Sequence, residues 1–199
     1  MMSLMSAAAT QPRLAAVARH RLALLALAAR DTARADSLWA VPGAYTPWTW
    51  PAWRGRAEIA LARGGAARAD SLLERVDRDA WSDAERAAWL VTRVRLRALM
   101  GDTLRAADFS RQAMRVYPSS VGARQAVTRL EAMLRVRGVP LALGDERNAA
   151  EVDAFAGRLE AAAQRLRRVA GRHADPRIRG ETTVRLCELL RSARRFSEA

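Results

Sequence analysis

Two histidines and one cysteine are all that this 199-residue chain offers to soft-metal or thiol chemistry. His20 and His173 lie far apart, with no companions at metal-ligand spacing, and a single cysteine provides neither a zinc framework nor an intrachain disulfide. Cys187 falls in the apolar pattern Val184, Leu186, Cys187, Leu189, Leu190 and reads as a small buried hydrophobe. There is no phosphate-cradling loop, dinucleotide fingerprint or nucleophile elbow, and Gly64-Gly65 reads as a helix-ending turn. No catalytic residue, cofactor or metal is therefore expected of the chain itself.

Binding chemistry is better represented. Trp39, Trp48, Trp50 and Trp53 cluster around a Pro/Gly-punctuated stretch, and indole rings stack on sugars or on peptide partners. Trp48, Trp50 and Trp53 are accordingly candidates for a binding surface. The competing expectation, which Trp39 on an apolar helix face favours, is that the rings fill the gap between the first two helical hairpins. Arg93 and Arg97 are one turn apart on one helix face and can form part of a groove for an acidic polymer or peptide. Arg165, Arg168, Arg191, Arg194 and Arg195 continue the array. The usual behaviour of charge runs favours a solvated outer face balanced by local acids.

The formal net charge of +13 points at first to nucleic acid. Yet the chain has no lysine, Asn148 is its only asparagine, and Ile59 and Ile178 are its only isoleucines. Codon usage in a GC-rich genome depletes these three together and enriches Arg and Ala. The charge is then partly a genomic property, and nucleic acid is not the expected partner. Half of the residues are hydrophobic, which argues for a packed core, while arginines interrupt every apolar stretch short of the roughly 20 residues that span a bilayer. Arg19-His20-Arg21 followed by Leu22–Ala29 superficially resembles an export signal, but Arg30 and Asp31 close the run, which fits the first helix of a repeat at least as well.

These residues must be carried by helices, because repetition at a helical-hairpin period is the strongest pattern in the chain. Ala33-Arg34-Ala35-Asp36-Ser37-Leu38-Trp39 recurs 34 residues later as Ala67-Arg68-Ala69-Asp70-Ser71-Leu72-Leu73. The third copy has Gly101-Asp102-Thr103-Leu104-Arg105-Ala106, then Ala113 and Tyr117-Pro118. Gly101 suits a left-handed helix end, Ala106 and Ala113 lie two turns apart on one close-packing face, and Pro118 stops the second helix. Gly64, Ala69, Leu73 and Val76 take these places in the second copy, and Gly157, Ala162, Leu166 and Val169 in a later one. The expected fold is all-α, a tetratricopeptide-like α-solenoid of about five to six antiparallel hairpins.

The organisation predicted from this spacing is a first hairpin over 1–41, a Pro/Trp-rich connector over 42–53, and hairpins plus a long helix over 54–138. A connector over 139–148 and further hairpins over 149–199 follow. The distance from Ala106 to Ala162 breaks the period and predicts an insertion, within which Ser119–Gly138 forms the long helix. Arg194-Arg195-Phe196-Ser197-Glu198-Ala199 repeats the opening of a second helix and then stops, which predicts a fragment of a longer protein.

The Gly101-Asp102-Thr103 turn, the Arg115-Val116-Tyr117-Pro118 closure, the helix ending in Gly138-Val139-Pro140-Leu141 and the helices from Gly157-Arg158 to Ala199 resemble, in sequence and order, the N-terminal helical region of soluble lytic murein transglycosylases. The resemblance covers the second hairpin to the end. It implies a curved helical scaffold in the periplasm or cell envelope, beside a lysozyme-like domain that cleaves peptidoglycan glycan strands without water. Neither the Glu-Ser pair nor the Gly-Leu-Met-Gln segment of that domain occurs here, so no catalytic residue carries over. Val94 stands where a repeat usually has glycine, and Ser110 where it has an aromatic, with Phe109 one place away. The expected partners are a protein or peptide, or peptidoglycan through an attached domain. A free-standing tetratricopeptide adaptor is the alternative role.

Overall fold

The computed structural model describes residues 12–40, 49–76 and 81–197. Every regular element among them is an α-helix, and the protein is all-α. In chain order the helices are α1 (Pro12–Ala28), α2 (Thr32–Ala40), α3 (Thr49–Ala62), α4 (Ala66–Glu74), α5 (Asp83–Leu99), α6 (Thr103–Val116), α7 (Val121–Val136), α8 (Leu143–Phe155), α9 (Leu159–Arg172) and α10 (Pro176–Ser197). None is long and apolar enough to cross a membrane. The chain forms two compact units, residues 1–85 and 86–199.

In the first unit α1 packs on α2, α2 on α3, and α3 on α4. The turn into α2 is made by Arg30, at φ 61°, a left-handed conformation that costs a non-glycine residue about 1 kcal/mol. It is held by Asp31, whose backbone N–H donates to the Ala26 carbonyl at 2.8 Å and whose side chain accepts from the Arg34 N–H at 2.9 Å, capping α2. Ala23, Ala26, Ala35, Trp39 and Ile59 form the core. Gly55 lies inside α3 because Trp39 is pressed against it. A Cβ there would stand 2.3 Å from the indole ring, so only glycine admits the contact.

In the second unit consecutive helices again pack in succession, α6 on α7, α7 on α8, α8 on α9, and α9 on α10, and α6 also touches α8. Gly101, Gly138 and Gly157 each adopt positive φ at a helix end. Asp102 caps α6 by accepting from the Arg105 N–H at 3.2 Å, and Ser120 caps α7 by accepting from the Ala123 N–H at 3.0 Å. Gly122 of α7 meets α5 at Ala87, where a Cβ would come within 2.8 Å of backbone. Fully buried Leu90, Val94, Leu96, Ala106, Ala113, Met114 and Leu130 fill the interior of this unit.

Three sequence expectations are corrected. The connector over 139–148 is shorter, because α8 begins at Leu143 with Asp145 and Glu146 in its first turn, where carboxylates suit the positive helix end. The connector over 42–53 ends by Thr49, since α3 starts there and accommodates Pro51 in its first turn, where a missing N–H costs no helical bond. Cys187 is exposed. The inward face of α10 is set by Ile178, Thr182, Leu186 and Leu189, and the thiol falls beside that stripe rather than on it.

Candidate interaction surface

Trp48 lies outside the described residues. Trp50 is buried, with its ring centroid 5.2 Å from that of Trp81 at 60°. Trp53 is half-buried and the Arg56 guanidinium sits 5.2 Å from its ring centroid, itself held by Asp36 at 2.8 Å. Trp39 is buried and its Nε1–H donates to His20 Nδ1 at 3.1 Å. An imidazole nitrogen that accepts is unprotonated, and desolvation of His20 lowers its pKa in the same sense. Trp39, Trp50 and Trp53 thus each make contacts within the first unit, Trp53 remaining partly exposed.

Arg93 is neither in an open groove nor on a solvated outer face. It is 6% exposed, with its guanidinium 4.5 Å from the Phe109 centroid and 5.3 Å from that of Trp89. Those two rings meet edge to face at 6.2 Å. A planar, weakly hydrated guanidinium tolerates such burial where an ammonium would not. Arg97 is also mostly covered, and it reaches Asp102 at 3.2 Å. An arginine pair one turn apart does not, in this protein, mark an accessible cationic face.

Of the later arginines, Arg165 and Arg168 are bound by acids on neighbouring helices. Arg165 contacts Glu131 at 2.6 Å, Glu146 at 2.8 Å and Asp153 at 2.8 Å. Burial opposes its charge, but hydrogen bonds to Asp153, Glu131 and Glu146 outweigh that and raise its pKa. Arg168 joins Glu146 at 3.1 Å, and Arg158 joins the buried Asp153 at 2.5 Å. Arg191 is exposed, while the side chains of Arg194 and Arg195 lie outside the described residues.

The sequence reading missed a spacing rule in these contacts. Arg111 pairs with Asp145 at 3.0 Å, Arg165 with Glu131, Arg147 with Glu181 at 3.4 Å, and Arg185 with Glu151 at 2.8 Å; Arg137 hydrogen-bonds Thr103. Each pair is separated by 34 residues. Hydrogen bonding to Asp145 and to Glu151 holds the Arg111 and Arg185 pKa values above the ordinary arginine value. These links cross the stretch where Ala106 and Ala162 had indicated an insertion, while Gly101 and Gly138, at the ends of α5 and α7, stand 37 residues apart. Ala162 belongs to α9, which is tied to α7 through Glu131–Arg165, whereas Ala106 belongs to α6. The signal was available in the sequence as opposite charges at the repeat offset.

Between α6 and α8 lies an open cleft of about 790 Å³, whose lining includes Arg111, Gln112, Arg115, Asp145 and Asn148. Among the described residues no cluster of three His, Cys, Asp or Glu side chains is arranged to hold a metal ion. No protein-family model matches the chain, and no curated protein is significantly similar to it.

Proposed function

We propose that the chain is a non-catalytic scaffold, a tetratricopeptide-like α-solenoid that presents repeated helices to a partner. The observation that carries this reading is the set of side-chain links 34 residues apart, from Thr103–Arg137 to Glu151–Arg185. A 34-residue offset is the tetratricopeptide period, and in repeat proteins each unit contacts its neighbours in the array. Left-handed residues Arg30, Gly64, Gly101 and Gly138 at the ends of α1, α3, α5 and α7, every second helix, agree with that construction.

In its first form the scaffold is the accessory region of a peptidoglycan lytic transglycosylase in the periplasm or envelope, placing a cleaving domain on glycan strands. Its support is the order of turns and helices, from Gly101-Asp102-Thr103 through Gly138-Val139-Pro140-Leu141 to α10. In its second form it is a free-standing adaptor for a protein or peptide, a reading favoured by the polar cleft between α6 and α8. Pelleting the purified chain with peptidoglycan sacculi, together with reading the genomic frame beyond the Ala199 codon, separates the two. Retention by sacculi and a following lysozyme-like domain with a Glu-Ser pair support the first. A chain left in the supernatant, followed by a stop or by further repeats, overturns it and leaves the adaptor.

A further inference from the structure

The positive charge is not shared between the two units. Residues 1–85 carry 11 arginines against 9 acids, while residues 86–199 carry 23 arginines against 12, a surplus of 11. Acids are equally dense in the two stretches and arginine alone is enriched in the second. Codon usage acts along the whole chain and does not place the surplus in one unit. Nor does the fold neutralise it. Every described acid from Asp102 to Glu188 already meets an arginine within 3.2 Å, except Asp175, which caps α10 by accepting from the Arg177 N–H at 2.8 Å. Arg115, Arg124, Arg129, Arg135, Arg172 and Arg191 have no ion-pair partner among the described residues.

Three of these six lie on α7. Arg124 and Arg135 are about three helical turns apart and share one margin of its exposed face, and Arg129 lies on the opposite margin. Gln125, Thr128 and Ala132 run between them, all exposed. The single acid of α7, Glu131, is drawn away to Arg165 of α9. Arg137, just beyond the helix, hydrogen-bonds only the neutral Thr103 hydroxyl.

Cations on both margins of one exposed helix face match the major groove of B-form DNA, which admits an α-helix and is bounded by two phosphate strands. A guanidinium takes a phosphate in a bidentate fork. An acidic peptide is one strand and meets one margin at a time. With no aromatic residue, α7 offers the bases of a single strand nothing to stack on. Its apolar side, Ala126, Val127 and Leu130, is buried in the core and is not presented to a lipid surface.

We propose that the exposed face of α7 binds double-stranded DNA, with Arg124, Arg129 and Arg135 on its phosphates and no base-specific contact. This is the partner that the total charge alone did not justify, and it goes beyond the scaffold reading. The test is fluorescence anisotropy of the full chain with a fluorescein-labelled mixed-sequence duplex of about 20 base pairs, between about 50 and 200 mM salt. Affinity is expected to fall with salt at a log–log slope of about −3, from about −0.9 per neutralised phosphate. Arg129→Gln and Arg135→Gln should each make the slope shallower by about 1 and weaken duplexes of different sequence alike. Arg68→Gln, the same loss of charge at an exposed arginine of the first unit, should change neither. Circular dichroism checks that each variant is folded. A wild-type chain that ignores the duplex overturns the proposal, as do α7 variants that behave like Arg68→Gln, or polyglutamate that competes as well as unlabelled duplex. Sacculus pelleting of the same proteins reads the scaffold role separately, so loss of one does not entail loss of the other.

Discussion

Arg185 holds Glu151 by two parallel hydrogen bonds, Nε to Oε1 at 2.9 Å and Nη2 to Oε2 at 2.8 Å, from α10 to α8. The fork is planar and bidentate, the geometry in which an arginine–carboxylate pair is strongest, yet Arg185 is 40% exposed and the pair is screened by solvent. Its main contribution is to register: it joins residues 34 apart in sequence and ties α10 to α8.

Arg165 is the pair member whose loss should cost most. Replacing it by Met leaves Asp153, 3% exposed at its side chain, without one of its two cations and Glu131 and Glu146 without a shared one. The expected loss is about 3 kcal/mol. Arg167→Met, at an exposed pair with Glu160, should cost under about 0.5 kcal/mol. Urea midpoints of the two variants measure the contrast, and equal midpoints would show that the three-carboxylate site is not a buried network.

Gly55→Ala should destabilise the first unit although alanine is the better helix former by about 1 kcal/mol. Its methyl group would meet the Trp39 ring, and overpacking costs about 1–3 kcal/mol. In a Trp39→Leu background the same change should become neutral or stabilising. Thermal unfolding of the four proteins closes the cycle, and a penalty that persists without the indole would point to another cause.

His20 should make stability depend on pH. Burial lowers its folded-state pKa below the unfolded value of about 6.5, so the unfolded chain binds the proton more readily. The contribution is complete above pH 6.5 and is lost as pH falls from there toward the folded pKa. A His20→Gln variant should lose less stability than wild type between pH 7.5 and 5, as read by urea unfolding across that window. Parallel curves would remove His20 from the account.

The 34-residue period was legible at Ala33–Trp39 and Ala67–Leu73, where six of seven residues repeat. Its phase was not. In a chain dominated by Ala and Arg, small residues recur on helices of both positions in a repeat, so Ala162 matched Ala106 although it lies on the helix linked to α7. Charge carried the missing information, because Glu131 and Arg165, or Glu151 and Arg185, have opposite signs at the repeat offset. The fate of Arg93 was not legible either. Its burial depends on Phe109, which comes from the next helix and appears in no local pattern around Arg93.

The central claim, that side chains 34 residues apart link neighbouring units of the proposed repeat, is tested most directly by exchanging the charges of Glu151 and Arg185. Glu151→Arg and Arg185→Glu alone each place like charges together and should lower stability by about 1 kcal/mol, less at high salt. The double exchange should restore at least half of the summed loss in a double-mutant cycle by urea unfolding. Losses that simply add, with no recovery in the double variant, would contradict the pairing and with it the repeat register.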